Sequence, residues 1–266
     1  MMANIDDKLE DLNREERQTW ITEQVLREGT VYVDNLAEIF DVSRMTIHRD
    51  LDDLEHQGVL QKIRNGATAQ PTSLFESDIR YRENLAVREK EALADFALRY
   101  IEPGQSILLD EATTLLPLMR KLEALAPLTV ITNFLPMIEE LSTMKDIRLI
   151  ALGGEFLPRF STFTGLICQQ AVANLNADVL FTSTTAIAGL EAFHPEQQIV
   201  AVKQMMMASA QRRYLLVDHN KFNKTALHKV ASLKDFDAVI VDSGIDQQTL
   251  IRLQEGGVPV EIAHIS

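Results

Sequence analysis

The residues of this chain whose types and spacing best suit a chemical task are Ser-Arg-Met-Thr-Ile-His-Arg-Asp-Leu at positions 43–51. Ser43 can begin a helix, because its hydroxyl accepts a backbone N–H of the first turn. Ile47, Leu51 and Leu54 recur at helical spacing and predict a buried stripe. The side chains off this stripe are polar or cationic, as contacts to DNA phosphates and base edges require. We therefore predict a helix that reads DNA through Ser43, Arg44, Met45, Thr46, His48 and Arg49.

The residues before this helix favour a helix-turn-helix domain. A helix is predicted over 14–28, a short strand over 31–33, and a second helix that begins with Asp34 as its cap. The buried side of that second helix would be formed by Leu36, Ala37, Ile39 and Phe40. A small helical domain of this kind can also bind protein, and His48 can be a solvated side chain, so these alternatives stay open.

A β-hairpin is predicted after the DNA-reading helix, which stops at Gly58, a typical C-terminal residue. Two short strands follow, and an Asn65-Gly66 turn would join them. Such a hairpin forms the wing of a winged helix-turn-helix domain. The wing would carry Lys62 and Arg64 towards the phosphate backbone of DNA.

The charge of the chain argues weakly against a nucleic-acid partner. The formal net charge is −13, and residues 1–69 hold 15 acidic and 8 basic side chains, so the basic footprint of a DNA-binding domain is missing. The cations gather on the DNA-reading helix and the wing, whereas much of the acid lies earlier, at Asp6, Asp7, Glu10, Asp11, Glu15 and Glu16. We expect a local positive face on an acidic body, which binds DNA tightly only as an oligomer and with marked salt sensitivity.

Length and composition limit which other classes of function are possible. The 266 residues, 46% of them hydrophobic, allow a small domain and one of ordinary size. The one cysteine, Cys168, lies in an apolar run and is expected in the core, and it excludes an internal disulfide or a cysteine metal cage. No metal-spaced cluster is visible, and we expect no cofactor. Because neither a signal peptide nor a long apolar stretch is visible, we expect a cytoplasmic protein.

The chain is expected to divide at a linker-like Gln-Pro-Thr-Ser stretch that begins at residue 70. We assign 1–69 to the DNA-binding domain, 70–78 to a linker and 79–266 to a second domain. After one long helix over 79–101, strands and helices alternate, and the strands are continuous Val, Ile and Leu runs. This pattern predicts an α/β domain with a mostly parallel sheet that is covered on both faces.

Polar or glycine residues follow three of the predicted strands, at the carboxyl ends where ligands bind in such sheets. The first group leads straight into a helix, whose N–H groups and two threonine hydroxyls can cradle a phosphate. Each group can instead be structural, as a helix cap or a turn, and a lysine on a helix is often solvated. Their convergence predicts a site for an anionic small molecule such as a phosphorylated sugar, formed by Asp110, Ala112, Thr113, Thr114, Thr132, Asn133, Gly153, Gly154, Lys203 and Lys221.

Nearly the whole chain resembles the DeoR-type transcriptional regulators. The resemblance rests on Ser43-x-x-Thr-Ile-His-Arg-Asp-Leu with Leu54-Glu-x-x-Gly, and on Asp110-x-x-Thr-Thr, Thr132-Asn, Gly153-Gly-Glu, Gly165 and Asp218-x-x-Lys-Phe. It implies a winged helix-turn-helix domain joined to a sensor domain similar to ribose-5-phosphate isomerase and glucosamine-6-phosphate deaminase. It also implies a repressor of a sugar or polyol catabolic operon, which binds a double-stranded DNA operator and a phosphorylated sugar or polyol, and forms a homo-oligomer, dimer or tetramer.

Several positions depart from that family. Ala112 stands where the family usually has glycine, and Ala186 and Ala188 stand where it usually has glycine and aspartate. One alternative is therefore a regulator whose sensor domain has lost its ligand and serves only assembly. Another is a sugar-phosphate isomerase or deaminase, in which Asp110 or Glu111 would move a proton. The attached DNA-reading module favours a regulator, and we do not expect an enzyme.

Overall fold

The computed structural model describes residues 12–69 and 78–265. The predictions made for residues 6–11 and for the linker at 70–77 lie outside the described residues. The chain forms two compact units, Met1–Leu85 and Ala86–Ser266. None of the helices in the described part combines the length and the apolar character that crossing a bilayer requires.

The first unit is the predicted winged helix-turn-helix. Its sheet has the order β1-β3-β2, with antiparallel pairs, and β2 and β3 form the wing. Its elements are α1 (Arg14–Glu28), β1 (Thr30–Tyr32), α2 (Val33–Ile39), α3 (Arg44–His56), β2 (Gln61–Ile63), β3 (Gly66–Thr68) and α4 (Ile79–Asn84).

The stripe predicted for α3 is buried and holds this unit together. Ile47 and Leu51 are fully buried and Leu54 nearly so, which confirms the helical spacing read from the sequence. The Ser43 hydroxyl accepts the backbone N–H of Thr46 at 3.2 Å, so the predicted N-cap is also confirmed. Burial of three aliphatic side chains gives α3 a fixed position on the first unit, at about 1.5–3 kcal/mol for each side chain.

The wing turn lies one residue earlier than predicted, at Arg64-Asn65, because Ile63 pairs with Gly66. Asn65 takes the left-handed conformation, with φ of 63°. Gly66 is needed in the strand itself, since a Cβ there would lie 2.2 Å from the carbonyl oxygen of Val31. The prediction of an Asn65-Gly66 turn is therefore wrong by one position.

Two predictions for α2 are also wrong. Asp34 lies inside the first turn, and Tyr32 is the N-cap residue without a side-chain hydrogen bond. Ile39 is 37% exposed, whereas Leu36 and Phe40 are buried as expected. The helix has only seven residues, so its apolar residues are too few to define a reliable face.

The long helix predicted over 79–101 is divided. It consists of α4, a break at Leu85 and Ala86, and α5 (Val87–Ala97). Ala86 has φ of 51°, which a continuous right-handed helix does not allow. The break coincides with the boundary between the two units, because Tyr81 of α4 belongs to the core of the first unit. Residues 79–85 thus lie with the first unit, which moves the start of the second from 79 to 86.

The second unit is an α/β domain built on one parallel seven-stranded sheet, as the continuous apolar runs predicted. The strands lie in the order β15-β14-β12-β9-β4-β5-β6. They are β4 (Ser106–Leu109), β5 (Leu128–Thr132), β6 (Ile147–Ala151), β9 (Ala177–Thr182), β12 (Ala210–Val217), β14 (Ala238–Asp242) and β15 (Val260–Ala263). The other helices are α6 (Leu116–Lys121), α7 (Leu135–Leu141), α8 (Gly165–Ala173), α9 (Gln197–Ala208) and α10 (Gln247–Glu255).

Two small sheets of the second unit were not predicted. One is a hairpin of β7 (Glu155–Leu157) and β8 (Thr162–Thr164), and the other joins β10 (Ala186–Ala188), β11 (Glu191–His194) and β13 (His228–Ser232). Their strands have three to five residues, which is too short for a clear alternation of polar and apolar side chains.

Candidate functional site

The eight predicted DNA contacts all lie on two neighbouring features of the first unit, the N-terminal part of α3 with its cap and the wing. Met45 is 61% exposed and Arg49 is exposed, whereas His48 is half-buried. The exposed side of α3 is therefore available to a groove, while its opposite side packs in the core.

Two of the predicted cations already have carboxylate partners. The Arg44 guanidinium lies 2.6 Å from Asp34, and the Lys62 ammonium forms an ion pair with Asp52. Both pairs are substantially exposed, so each contributes at most about 1 kcal/mol, and a DNA phosphate can replace the carboxylate. Arg49 forms no ion pair or hydrogen bond with the described residues.

An ion pair that sequence reasoning missed fixes α3 against α1. The Arg17 Nε donates to Asp50 at 2.6 Å, and the side-chain amide of Gln18 donates to the other carboxylate oxygen at 3.2 Å. Asp50 is 1% exposed. An acid three residues after a buried Ile47 was the available signal, because that spacing places it on the buried stripe. Asp50 is a positioning residue for α3.

The second predicted site lies at the carboxyl ends of β4, β5, β9 and β12, and Asp110 stands at its centre. This carboxylate is fully buried and accepts the backbone N–H groups of Ala112 and Ser183, each at 3.1 Å. The hydroxyl of Thr182 also donates to it. Because both oxygens already accept hydrogen bonds, Asp110 holds neighbouring strand ends together and is poorly placed to act as a general base.

Lys203 is buried against two carboxylates. Its ammonium lies 2.5 Å from Asp110 and 2.8 Å from Glu111, and it donates to the carbonyl oxygen of Ser183 at 3.0 Å. These contacts use all three of its donors. Burial alone would lower the pKa of Lys203, but the two carboxylates outweigh burial and raise it, so the ammonium stays charged. The geometry assigns Lys203 to holding Asp110 and Glu111.

Two other lysines reach the threonine hydroxyls that follow β4. The Lys221 ammonium donates to Thr114 at 3.1 Å and to the Ser183 hydroxyl at 3.0 Å. From α5, the buried Lys90 donates to the Thr113 hydroxyl at 3.3 Å. Two ammonium groups beside two hydroxyls at a helix start form a place where an anion is favoured.

Sequence reasoning placed Lys221 but missed Lys90 and Ser183. Ser183 directly follows β9, and the same rule about strand ends identifies it once β9 is located. Lys90 lies inside a helix, and no spacing distinguishes it from a solvated lysine.

The residues after β5 connect this site to the β7–β8 hairpin. The Asn133 side-chain amide donates to the carbonyl oxygen of Phe163 at 2.8 Å, and the Asn133 carbonyl accepts the Phe163 N–H at 2.9 Å. The Thr132 hydroxyl accepts the N–H of Phe134 at 3.2 Å, at the start of the next helix. The hairpin is thereby attached to the carboxyl end of β5.

The two predicted glycines differ in their surroundings. Gly154 has φ of 152°, and a Cβ there would lie 2.3 Å from the carbonyl oxygen of Thr164, so β8 packs directly on this backbone. A Cβ at Gly153 would meet no atom within 4 Å among the described residues. Gly154 therefore allows the close approach of the hairpin, and Gly153 is open.

The chain combines a winged helix-turn-helix unit with an α/β unit that favours an anion at the carboxyl ends of its strands. This combination defines a class of protein, the DNA-binding regulators that carry a sensor domain. Two family models match this arrangement. Residues 17–72 match the DeoR-like helix-turn-helix domain, and residues 85–243 match the DeoR C terminal sensor domain. The chain belongs to the DeoR family of transcriptional regulators.

Individual relatives cover almost the full length. The chain is 29% identical to a putative aga operon transcriptional repressor of Escherichia coli O157:H7, over 92% of both chains. It is 29% identical to the lactose phosphotransferase system repressor of Staphylococcus epidermidis, over 87% of this chain and 93% of that one. Both relatives are named as regulators of transcription, in agreement with the expectation that this chain is not an enzyme.

The chain also has a distant likeness among solved structures. Ribose 5-phosphate isomerase from Plasmodium falciparum covers 52% of this chain, and this chain covers 53% of that one, with 12% identity and a TM-score of 0.38.

Proposed function

We propose that this protein represses a sugar or polyol catabolic operon in the cytoplasm, and that a phosphorylated sugar or polyol controls its binding to the operator. The observation that carries the proposal is the set of Lys90 and Lys221 hydrogen bonds to the hydroxyls of Thr113 and Thr114. Cations and hydroxyls that meet at the carboxyl ends of neighbouring strands suit a phosphate better than an apolar ligand. The names of the aga operon and lactose relatives support a link to carbohydrate metabolism.

The DNA end of the proposal uses α3 and the wing. Base edges would be contacted from the exposed side of α3, and Lys62 and Arg64 would bind phosphates after Lys62 leaves its carboxylate. The net charge of −13 opposes DNA binding by a single copy of the chain. The proposal therefore includes a dimer or tetramer, in which the cationic surfaces of more than one copy contact the same operator. The DNA-contacting residues are Ser43, Arg44, Met45, Thr46, His48, Arg49, Lys62 and Arg64.

The effector end of the proposal has a binding part and a supporting part. Thr113, Thr114, Lys90 and Lys221 bind the phosphate. The remaining residues hold the strand ends and the hairpin in place around it, namely Asp110, Ala112, Thr132, Asn133, Gly153, Gly154 and Lys203. Effector binding changes DNA affinity only if the effector binds the DNA-competent and DNA-incompetent states unequally.

The test begins with an operator that the full-length protein selects from a random duplex pool. Fluorescence anisotropy then measures DNA affinity with a panel of phosphorylated sugars and polyols, and thermal unfolding records binding of each compound. We expect at least one compound to raise the unfolding temperature and to change DNA affinity about tenfold or more, which corresponds to about 1.4 kcal/mol of coupling. If no compound does either, the sensor domain serves only assembly, and the proposal fails.

A further inference from the structure

Two buried acceptor atoms at the sensor site have no partner among the described residues. One is Oε2 of Glu111 and the other is Oδ1 of Asn133. Glu111 is 3% exposed and Asn133 is fully buried, so neither atom is satisfied by bulk water. Burying an acceptor without a hydrogen bond is unfavourable, and such atoms in proteins commonly serve a ligand, an ordered water or catalysis.

The hydrogen bonds that Glu111 and Asn133 already make determine which of their side-chain atoms have no partner. Glu111 uses Oε1 to bind Lys203 at 2.8 Å. Asn133 must direct its amide nitrogen to the Phe163 carbonyl oxygen, since an amide oxygen there would face another acceptor. The orientation of both side chains is thus set by the protein, and Oε2 and Oδ1 remain for another donor.

The two atoms belong to adjacent strand ends. Leu109 of β4 pairs with Thr132 of β5, so Asp110 and Asn133 occupy equivalent positions and Glu111 follows one residue later. Neighbouring strands lie about 4.8 Å apart. The phosphate-favouring threonines come two and three residues after Glu111 on the same segment, within the reach of one sugar-sized molecule.

We propose that Glu111 and Asn133 form a subsite that accepts hydrogen bonds from the hydroxyl groups of the effector, while the lysine and threonine cluster binds its phosphate. The proposal rests on the proposed function, and it deepens it by assigning an orientation and a selectivity. The ligand enters with its anionic end at Thr113 and Thr114 and its polyhydroxy end beneath the β7–β8 hairpin. An anion without hydroxyl groups would leave both acceptors unsatisfied and bind more weakly.

The main variant is Glu111→Leu, which removes the acceptor and keeps a similar side-chain volume. Lys203 retains Asp110 and the Ser183 carbonyl oxygen in this variant. Because Glu111→Leu also removes one of the two carboxylates that contact the buried Lys203, the ligand-free variant should unfold at a lower temperature than the wild-type protein. The measurement that a purely structural Glu111 would not change is the affinity for polyhydroxy esters relative to inorganic phosphate. Glu111→Gln, which keeps a hydrogen-bonding group, serves as the conservative variant.

Calorimetric titration of the full-length protein compares three kinds of probe: inorganic phosphate, hexyl phosphate, and phosphate esters of three- to six-carbon sugars and polyols. We expect the best polyhydroxy ester to bind at least about tenfold more tightly than hexyl phosphate, which is the effect of one or two hydrogen bonds. Glu111→Leu should abolish that advantage and leave the affinity for inorganic phosphate unchanged, and Glu111→Gln should restore part of it.

The outcomes separate this inference from the function on which it rests. If phosphate esters bind but hydroxyl groups give no advantage, or the advantage survives in Glu111→Leu, the subsite is overturned and the anion sensor remains. If Glu111→Leu weakens the binding of all probes equally, Glu111 is a structural residue and the inference is equally overturned. If no phosphate ester binds the wild-type protein, the proposed function itself fails.

Discussion

The Asp50→Ala substitution should selectively destabilise the DNA-binding unit. It removes the buried ion-pair partner of Arg17 and one of the two carboxylates that accept from Gln18, and it leaves the nearly buried guanidinium with a 3.5 Å contact to the Leu12 carbonyl oxygen but no counter-charge. Breaking a buried ion pair in this way costs about 3–5 kcal/mol. At about 1.4 kcal/mol per tenfold change, the population of the unfolded first unit should rise by roughly two to three and a half orders of magnitude.

The matched control is Asp52→Ala on the same helix. Asp52 pairs with Lys62, but the two side chains are 49% and 28% exposed, so this change should cost no more than about 1 kcal/mol. The pair of variants separates a general effect of removing an acid from α3 from the specific loss of the buried contact.

Hydrogen exchange with mass spectrometry on the full-length protein measures the effect segment by segment. In Asp50→Ala, amides of α1 and α3 should exchange at least about a hundredfold faster, whereas those of β9 should be unchanged because they lie in the other unit. Equal exchange in Asp50→Ala and Asp52→Ala would show that the contact between Arg17 and Asp50 does not fix α3.

Three further predictions concern the second unit. Gly154→Ala should lower the free energy of unfolding by about 1–3 kcal/mol, because its Cβ would lie 2.3 Å from a carbonyl oxygen. The control, Gly153→Ala, should be nearly neutral in thermal unfolding. Equal effects of the two substitutions would contradict the packing of the hairpin on Gly154. Lys221→Ala should abolish the rise in unfolding temperature that inorganic phosphate causes, whereas Lys224→Ala, an exposed lysine three residues later, should preserve it. Cys168 should resist iodoacetamide in the native protein at pH 8, because burial raises the pKa of its thiol to about 11; rapid labelling without unfolding would contradict its placement in the core.

The parallel sheet and helix α3 could be predicted because their signals are local and strong. Continuous Val, Ile and Leu runs indicate strands that are covered on both faces, and Ile47, Leu51 and Leu54 mark a single helical stripe. The strand-end rule likewise located Asp110 and Thr114 correctly at one edge of the sheet.

The features that could not be predicted depend on contacts between distant segments. Gly66 lies in a strand because Val31, 35 positions earlier by number, packs against its backbone. Lys90 reaches Thr113 only once α5 has packed on the sheet. The break at Ala86 reflects the boundary between two units, which helical periodicity does not record.

The proposed contact between α3 and DNA can be tested directly with one binding measurement. The Arg44→Ala, Arg49→Ala double variant is compared with Arg27→Ala, an arginine of the same unit that is 68% exposed on α1. At roughly 1–3 kcal/mol per arginine, we predict that the double variant binds the selected operator at least about thirtyfold more weakly than Arg27→Ala, with unchanged thermal unfolding. Equal operator affinity of the two variants would show that Arg44 and Arg49 of α3 do not contact the operator.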